Sequence, residues 1–234
     1  MSAYPQEIGA DAAWPADATV RMNRMYRRQR HIYDGTRRYY LLGRDLLIAG
    51  LQPAAGARVL EIGSGTGRNL VHAAGLYPDA RFFGIDVSTE MLTSAISAIS
   101  RRGLSDRIRL AHGDATAFDP SALFGIRSFD HILISYSLSM IPDWRGALTS
   151  AARHLRPGGR LHVVDFGNQQ GLPASARALL RRWLALFDVT PRDDLEPVLS
   201  AMADAAGAEL KFERPFRGYA QYGVLKFPAE PTTP

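Results

Sequence analysis

The chain has 234 residues, a net charge of +5 and 46% hydrophobic residues, which suits one α/β domain with a full core better than two independent domains. It contains no cysteine, which excludes disulfides, thiolate metal sites and a cysteine nucleophile. No basic segment leads into an apolar one at the amino terminus, and no apolar run approaches the ~18 residues of a membrane span, so we expect a soluble, cytoplasmic protein.

The first 52 residues separate into two segments of different composition. Residues 1–17 are rich in Ala, Pro and Gly, so we expect a flexible terminus. Residues 18–52 are expected to form a basic, aromatic-rich helical cap of two helices, with a break at Asp34–Gly35. Between Thr19 and Arg44 this cap holds eight arginines and one acid, a local charge of +7 that leaves −2 for the rest of the chain. Such a cluster favours an anionic partner: a membrane, a nucleic acid or an acidic substrate.

Between residues 53 and 228 the hydrophobic pattern alternates between strand and helix. Apolar runs predict strands near 58–62, 81–86, 108–112, 129–135 and 160–166, and helical periodicity separates them near 67–76, 88–102 and 142–154. Further helices are expected near 174–187 and 193–206, followed by two extended stretches near 208–214 and 219–227. The predicted fold class is α/β: a doubly wound, Rossmann-like, seven-stranded sheet with its last strand antiparallel. The helical extension precedes this domain, and a tail at 229–234 follows it.

A glycine-rich loop follows the first predicted strand. Gly63, Gly65 and Gly67 occupy every second position before an amphipathic helix, so the backbone can approach a ligand there without obstruction by Cβ atoms. The second predicted strand ends at Asp86, about twenty residues past the loop, which is the spacing of a ribose-binding acid. The loop is G-x-G-x-G preceded by Glu61, and so differs from the G-x-G-x-x-G of dinucleotide-binding proteins.

These motifs resemble those of the class I S-adenosylmethionine-dependent methyltransferases. His112–Thr116 resembles the third-strand motif of that family, and Leu155–Leu161 resembles its turn before the fifth strand. The resemblance implies S-adenosyl-L-methionine as the cofactor; the alternative is an α/β domain whose glycines are accidental. The implied cofactor-binding residues are Glu61, Gly63, Ser64, Gly65, Gly67, Asp86, Val87, Met91, Asp114, Ala115 and Ser135.

The resemblance also implies roles for several of these side chains. Glu61 would accept hydrogen bonds from the methionyl ammonium, directly or through water, and Asp86 would accept from both ribose hydroxyls. Asp114 would accept from the exocyclic amine of the adenine. Met91 would pack on the adenine face, although filling the core is an equally good role for it.

The segment after the fourth predicted strand narrows the class of acceptor. Residues 134–144 contain no Asn/Asp-Pro-Pro-aromatic motif, which argues against methylation of nucleobase amines, and the lack of cysteine excludes pyrimidine C5 methylation. No cluster of acids and histidines indicates a metal site. A small-molecule or lipid acceptor therefore remains, and we expect neither a nucleic-acid partner nor a metal.

The basic cap carries a second resemblance. Residues 25–45, MYRRQRHIYDGTRRYYLLGRD, resemble the betaine-lipid N-methyltransferases, as does the stretch Ser135–Trp144. This implies successive methylation of the homoserine amine of diacylglyceryl-homoserine to a trimethylammonium, with three S-adenosylmethionines. At helical spacing, a stripe of arginines and tyrosines offers cations to a carboxylate and aromatic faces to a methylated ammonium. The predicted substrate-binding residues are Arg30, Tyr33, Arg37, Tyr40 and Arg44. Core tyrosines and solvated arginines are the alternative.

A basic, aromatic-rich helix is also suited to contact with a membrane interface. Each basic residue near an anionic leaflet contributes roughly 1 kcal/mol to such binding. We therefore expect the partner to be a lipid substrate at an anionic membrane surface, with the protein peripherally bound at the inner face of the membrane. Arg181, Arg182 and Trp183 are expected to extend the contact.

Tyr136, at the end of the fourth predicted strand, is the predicted catalytic residue. It would orient the acceptor amine by a hydrogen bond, and the alternative is a role as a wall of the pocket. Other acceptors, such as phosphatidylethanolamine or a quinone precursor, would use the same cofactor. Two further alternatives are a nucleic-acid-binding protein with a degenerate cofactor site and a noncatalytic partner subunit.

Overall fold

One seven-stranded sheet organises residues 41–229, which are the residues that this computed structural model describes. Its strands are β1 (Arg58–Ile62), β2 (Arg81–Asp86), β3 (Ile108–His112), β4 (Phe129–Ser135), β5 (Leu155–Phe166), β6 (Glu209–Glu213) and β7 (Ala220–Lys226). Their order is β3-β2-β1-β4-β5-β7-β6, which confirms the Rossmann-like α/β prediction. The predicted flexible terminus 1–17, residues 18–40 of the cap and residues 230–234 of the tail lie outside the described residues.

The strand pairing indicates a ligand site at the carboxyl ends of the central strands. β1 is parallel to both β2 and β4, with Leu60 beside Phe83 and Ile132. β5 is parallel to β4 but antiparallel to β7, with Val163 beside Gly223. The order of the strands therefore reverses between β1 and β4. Open α/β sheets bind their ligands at such a switch point, beyond the carboxyl ends of the strands.

Helices cover both faces of this sheet. Within the described residues they are α1 (Arg44–Leu51), α2 (Arg68–Leu76), α3 (Thr89–Ser100), α4 (Pro120–Phe124), α5 (Trp144–Arg153), α6 (Ala174–Ala185) and α7 (Leu195–Ala206). On one face, Leu47 of α1, Leu70 of α2 and Leu184 of α6 belong to one buried cluster. On the other face, Leu148 of α5 and Leu199 of α7 belong to a second cluster. Burial on both sides explains why β1, β2, β4 and the second half of β5 read as nearly continuous apolar runs, whereas β3, at the edge of the sheet, is less buried.

The structure differs from the sequence prediction at β5. The sequence predicted a turn over Leu155–Leu161, but β5 already begins at Leu155, with an irregular register near Phe129 of β4. Gly158 has φ +77°, and its N–H donates to the carbonyl of Pro228 at 2.8 Å. Residues 156–159 therefore bulge out between Leu155 and Arg160, which pair with β4, and the bulge is hydrogen-bonded to the chain that follows β7.

Two short elements escaped prediction. One is α4, which begins with Pro120 and is capped by Asp119, whose Oδ1 accepts from the N–H of Ser121 at 2.8 Å. The other is a turn at Pro215–Gly218, where Phe216 and Arg217 have φ values of 56° and 57°. Neither is long enough to show a hydrophobic period.

Candidate functional site

A cavity of about 370 Å³ lies at the carboxyl ends of the parallel strands, at the switch point. Nine of the eleven predicted cofactor residues line it: Glu61, Gly63, Ser64, Gly65, Asp86, Val87, Asp114, Ala115 and Ser135. The other two, Gly67 and Met91, are not among its lining residues. The strand ends and the glycine loop thus meet around one space.

The glycine loop is shaped by close packing against its neighbours. Gly63 has φ +72°, and a Cβ added to it would lie 2.7 Å from Cβ of Ser137. Gly67 has φ +71°, and a Cβ added there would lie 3.1 Å from Cβ of Ala95 in α3. Gly63 therefore lets the loop after β4 close against the glycine loop, and Gly67 brings α2 close to α3. Contact between Gly67 and the cofactor stays a prediction.

Glu61 is a buried acid with one unpaired oxygen. Its Oε1 accepts a hydrogen bond from Nδ2 of Asn69 at 2.7 Å, while Oε2 has no hydrogen-bond partner within residues 41–229. Burial raises the pKa of Glu61 to about 8; Asn69 opposes this rise, Asp86 adds to it, and Arg44 opposes it. A cationic ligand beside Oε2 would favour the ionised carboxylate. No motif in the sequence pointed to Asn69. The only signal for it is its position in the first turn after the glycine loop.

Asp86 fastens the glycine loop to the end of β2. Its Oδ2 accepts from the N–H of Gly65 at 2.7 Å, and its Oδ1 accepts from the N–H of Ser88 at 2.8 Å. An ionised carboxylate offers about four acceptor positions, so these bonds leave capacity for ligand hydroxyls. Asp86 therefore combines a structural role with the predicted binding role.

The loop after β3 also lines the cavity. Asp114 lines the cavity, and its Oδ1 accepts from the N–H of Thr116 at 2.8 Å. Met91 is buried in the first turn of α3, where its N–H donates to Oγ of the capping residue Ser88 at 3.3 Å. The contact of Met91 with adenine stays a prediction, whereas its place in the packing of α3 is clear.

Another part of the lining is apolar and carries an arginine. We call this part the acceptor end; its residues are Leu41, Arg44, Met140 and Ile141. Nε of Arg44 donates to the carbonyl of Leu41 at 3.3 Å. Arg44 is the one predicted substrate-binding residue within residues 41–229. The remaining four lie outside the described residues: Arg30, Tyr33, Arg37 and Tyr40.

Tyr136 ends β4 in an uncommon backbone conformation. Its φ is 53°, a left-handed value that costs a non-glycine residue free energy. The side chain is buried, lines the cavity and donates a hydrogen bond from its hydroxyl to the carbonyl of Leu42. Burial raises its pKa well above the ordinary value, so the hydroxyl keeps its proton at neutral pH. The catalytic role of Tyr136 stays a prediction.

The loop after β4 is braced by residues that sequence analysis did not single out. Arg192 donates from Nε to the carbonyl of Leu138 at 3.1 Å and from Nη2 to that of Ile141 at 2.8 Å. Asp165 is fully buried and accepts from the N–H of Ser139 at 3.0 Å. Arg192 lies 54 residues beyond Leu138 in the chain, so no local pattern could have joined the two.

The predicted cofactor fits this arrangement. The unpaired oxygen of Glu61 suits an ammonium group, and Asp86 has acceptor capacity for a ribose. Asp114 also lines the cavity, and its carboxylate is able to accept from an amine. These acids share one cavity with Arg44, so the site can hold a cationic ligand next to an acceptor of different character.

Comparisons with known proteins point to the same chemistry. A family model described as a methyltransferase domain matches residues 59–159. The chain is 33% identical to the O-methyltransferase cnsE of Penicillium expansum over 151 residues, which are 64% of this chain and 52% of that protein. It is 31% identical to a demethylmenaquinone methyltransferase of Tropheryma whipplei over 179 residues, covering 71% and 67% of the two chains.

A solved structure supports the fold. Phosphoethanolamine N-methyltransferase 2 of Haemonchus contortus, in complex with S-adenosyl-L-methionine, superposes with a TM-score of 0.63 and 18% identity. The alignment covers 79% of this chain and 52% of that one. The chain thus spans about half of the length of this neighbour and of the Penicillium relative.

The raised pKa of Glu61 predicts a pH-dependent affinity for S-adenosylhomocysteine. Below about pH 8 the free protein holds this proton, and the ligand ammonium favours the ionised form, so binding releases a proton. Affinity should therefore rise between pH 6 and pH 8, by at most about tenfold per unit. Calorimetry in buffers of different ionisation enthalpy measures both effects.

The variant E61Q controls for titration of the ligand's own amine. It should bind more weakly, and the part of the pH dependence that belongs to Glu61 should disappear. Equal pH slopes for the two proteins would contradict the assignment of this proton to Glu61.

Removal of the Asp86 carboxylate should weaken both binding and stability. In D86A the N–H groups of Gly65 and Ser88 lose their acceptor, so we expect the free energy of unfolding to fall by about 2 kcal/mol. D86N keeps one carbonyl oxygen and should lose less. Thermal denaturation and calorimetry with S-adenosylhomocysteine measure the two effects, and unchanged affinity in D86A would remove the ribose assignment.

Proposed function

The chain belongs to the class I S-adenosylmethionine-dependent methyltransferases, and we propose that it methylates the homoserine amine of diacylglyceryl-homoserine in successive steps. Its cofactor is S-adenosyl-L-methionine. Three transfers would give the trimethylated betaine lipid. Support comes from the resemblance of residues 25–45 and 135–144 to the betaine-lipid N-methyltransferases, and from the side chains at the acceptor end of the cavity.

The observation that carries this proposal is the position of Arg44. It lines the same cavity as Glu61, Asp86 and Asp114, and apolar residues line the cavity with it. A homoserine head group bears a carboxylate next to its amine, and a guanidinium binds a carboxylate through paired hydrogen bonds. Leu41, Met140 and Ile141 beside Arg44 offer apolar surface to the glycerolipid part of the same acceptor.

Tyr136 is suited to orienting the acceptor amine. A hydroxyl has one donor and two lone pairs, and the donor of Tyr136 is already used on the carbonyl of Leu42. A lone pair thus remains to accept an N–H of the amine, which would turn the nitrogen lone pair toward the methyl group. When bound, the cofactor supplies a methyl group activated by its sulfonium. The contribution of the protein is mainly alignment of the nucleophile.

Each transfer requires a neutral amine. A new N–C bond uses the nitrogen lone pair while the bond from the methyl carbon to sulfur would break and leave its electron pair on sulfur, so the nitrogen becomes cationic until it loses a proton. The first two transfers leave an N–H that can be lost to solvent, which restores a nucleophile. The third leaves a quaternary ammonium without a proton, so the sequence of transfers ends there.

A lipid acceptor places the protein at a membrane. No helix within residues 41–229 is long and apolar enough to cross a bilayer. For such an acceptor we favour peripheral contact with the inner, anionic face of a membrane. The +7 charge between Thr19 and Arg44 is the sequence feature that supports it.

Methylation of a quinone precursor is the second candidate function. The 31% identity with a demethylmenaquinone methyltransferase favours it. A quinone ring has no carboxylate for a guanidinium to bind. Phosphatidylethanolamine is a third acceptor, which offers a phosphate instead of a carboxylate.

The acceptor can be identified with radiolabelled S-adenosylmethionine and separate mixed micelles of the three candidates, followed by chromatography. We expect label to progress through mono-, di- and trimethylated forms of diacylglyceryl-homoserine. Label only in phosphatidylethanolamine or only in the quinone precursor would overturn the proposal and leave the cofactor assignment in place.

Arg44 should determine the preference for an acceptor with a carboxylate. In R44A we expect kcat/KM for diacylglyceryl-homoserine to fall about 30-fold, because a charged hydrogen bond contributes roughly 2 kcal/mol. R44K keeps the charge but loses the planar fork, so its activity should be intermediate. The effect of R44A should be small for an amine acceptor that lacks the carboxylate, and an equal loss on both acceptors would argue against this role.

Tyr136 should affect turnover through its hydroxyl. In Y136F we expect kcat to fall about tenfold, with little change in the KM of the acceptor, since one orienting hydrogen bond is lost. The melting temperature should also fall, because the bond to Leu42 disappears. Full turnover together with a lower melting temperature would leave Tyr136 a structural role only.

A further inference from the structure

Helix α6 has apolar side chains on two opposite sides. Its inner side packs on the core: Leu184 is buried with Phe166, and Leu180 and Trp183 pack against the same cluster. Its outer side also carries large apolar residues, since Leu179 and Leu186 are each 71% exposed. A helix that only covered a core would have polar residues there.

The exposed residues of α6 recur at helical spacing along one line. We call this line the outer stripe; its members are Ser175, Ala178, Leu179, Arg182, Ala185 and Leu186, all exposed. Their spacing of three and four residues puts them on one face. A row of this kind has the pattern of a helix that lies in a membrane interface.

The charged side chains of α6 are all cationic. No acid occurs between Ala174 and Phe187, whereas three arginines do. Arg181 is turned back to the domain, where its Nη2 donates to both carboxylate oxygens of Asp193 at 2.7 and 2.8 Å. Arg177 and Arg182 make no ion pair within the described part of the chain. Of the predicted contact residues Arg181, Arg182 and Trp183, the one on the outer stripe is therefore Arg182.

The turn at Pro215–Gly218 continues this surface. The carbonyl of Arg217 accepts from the N–H of Gly171 at 3.1 Å, which puts the turn beside the start of α6. Phe216 has φ 56° and is 46% exposed. A strained residue that presents a large apolar ring to solvent has a better explanation in binding than in folding. The ring edge is also close to Gly43, since a Cβ added to Gly43 would lie 3.8 Å from it.

We propose that the outer stripe of α6 and the Phe216 turn dock on an anionic lipid surface. The surface is apolar and cationic together, as interfacial contacts are. The chain's own basic segment, residues 19–40, is not a suitable cover for it, because like charges repel. An anionic bilayer complements the charge and can take up the leucines and Phe216.

Docking in this way would bring the membrane near the acceptor end of the cavity. The inner side of α6 belongs to the same apolar cluster as Leu41, Tyr136 and Met140, which line the cavity. The outer stripe is thus on the opposite side of α6 from the cluster that contains these cavity residues. This inference rests on the proposed function for its purpose, since a lipid acceptor would reach the cavity from that side.

Insertion of the stripe can be measured directly because the chain has no cysteine. The full-length variants L179C and I96C would each carry an environment-sensitive nitrobenzoxadiazole label. Ile96 is the matched control, being 53% exposed on α3. On vesicles of phosphatidylcholine with about one third phosphatidylglycerol, the label at 179 should shift to the blue and brighten at least twofold, and the label at 96 should not.

The possible outcomes show whether a membrane or another part of the protein occupies this surface. A label at 179 that is already shielded without vesicles would show that another part of the protein covers the stripe, which would overturn the proposal. Equal responses at 179 and 96, or none at either position, would overturn it as well.

A binding assay gives the energetic test. In vesicle flotation, L179S/L186S should bind at least about tenfold more weakly than the unchanged protein, and R182E at least about fivefold, with I96S unchanged. Cofactor affinity should be the same in all four proteins. Unaltered flotation of L179S/L186S would contradict docking through α6.

Activity distinguishes this inference from the proposed function. L179S/L186S should lose methyl transfer to the lipid in vesicles but keep transfer to the same lipid dispersed in detergent. If no lipid amine is methylated while flotation still depends on Leu179 and Leu186, the proposed function fails and the docking surface stands.

Discussion

The carboxylate of Asp86 holds together the part of the fold on which the cavity depends. Three consecutive amides of the glycine loop donate to the end of β2: those of Gly63 and Ser64 to the carbonyl of Ile85 at 2.9 and 3.0 Å, and that of Gly65 to Asp86 at 2.7 Å. The loop is therefore fixed by the protein itself. A ligand that binds there has little backbone to order, which favours affinity.

Two buried acids near this edge of the sheet differ in how well they are satisfied. Burial raises the pKa of Asp165 to about 6, yet its oxygens accept from the N–H groups of Ser139 and Phe166. Glu61 has a pKa of about 8 and one oxygen without a partner within residues 41–229. The hydrogen bonds of Asp165 are typical of a structural acid, whereas the unpaired oxygen of Glu61 is typical of an acid that binds a cationic ligand.

The pKa of Glu61 also links stability to pH. The unfolded chain loses this proton near the ordinary value of 4.5, whereas the folded protein keeps it to about 8. The contribution of Glu61 to folding is therefore fully present below pH 4.5 and is lost as the pH rises toward 8. A bound ammonium would offset this loss.

Much of this structure followed from local sequence patterns. The bounds of β1, β2 and β4 were predicted because buried parallel strands are continuous apolar runs. Glu61 and Asp86 were found because strand ends and glycine spacing are local signals. The start of β5 was not predicted, because it depends on the hydrogen bond between Gly158 and Pro228. Arg192 and Leu138, which hydrogen-bond in the loop after β4, are 54 positions apart in the chain. Tyr136 and Leu42, which also hydrogen-bond, are 94 positions apart. Such contacts arise only once the chain is folded.

The charged side chains of the cavity favour one orientation of an acceptor. Asp86 and Asp114 line it as acids, Glu61 joins them once a bound cation favours its ionised form, and Arg44 supplies a positive charge. An amino-acid head group would turn its carboxylate to Arg44 and its amine toward the acids, where the methyl donor binds. Anchoring of the lipid tail in a membrane beside α6 would raise the effective concentration of a partly methylated head group at the site. Repeated methylation would then need release of the spent cofactor, but not of the lipid.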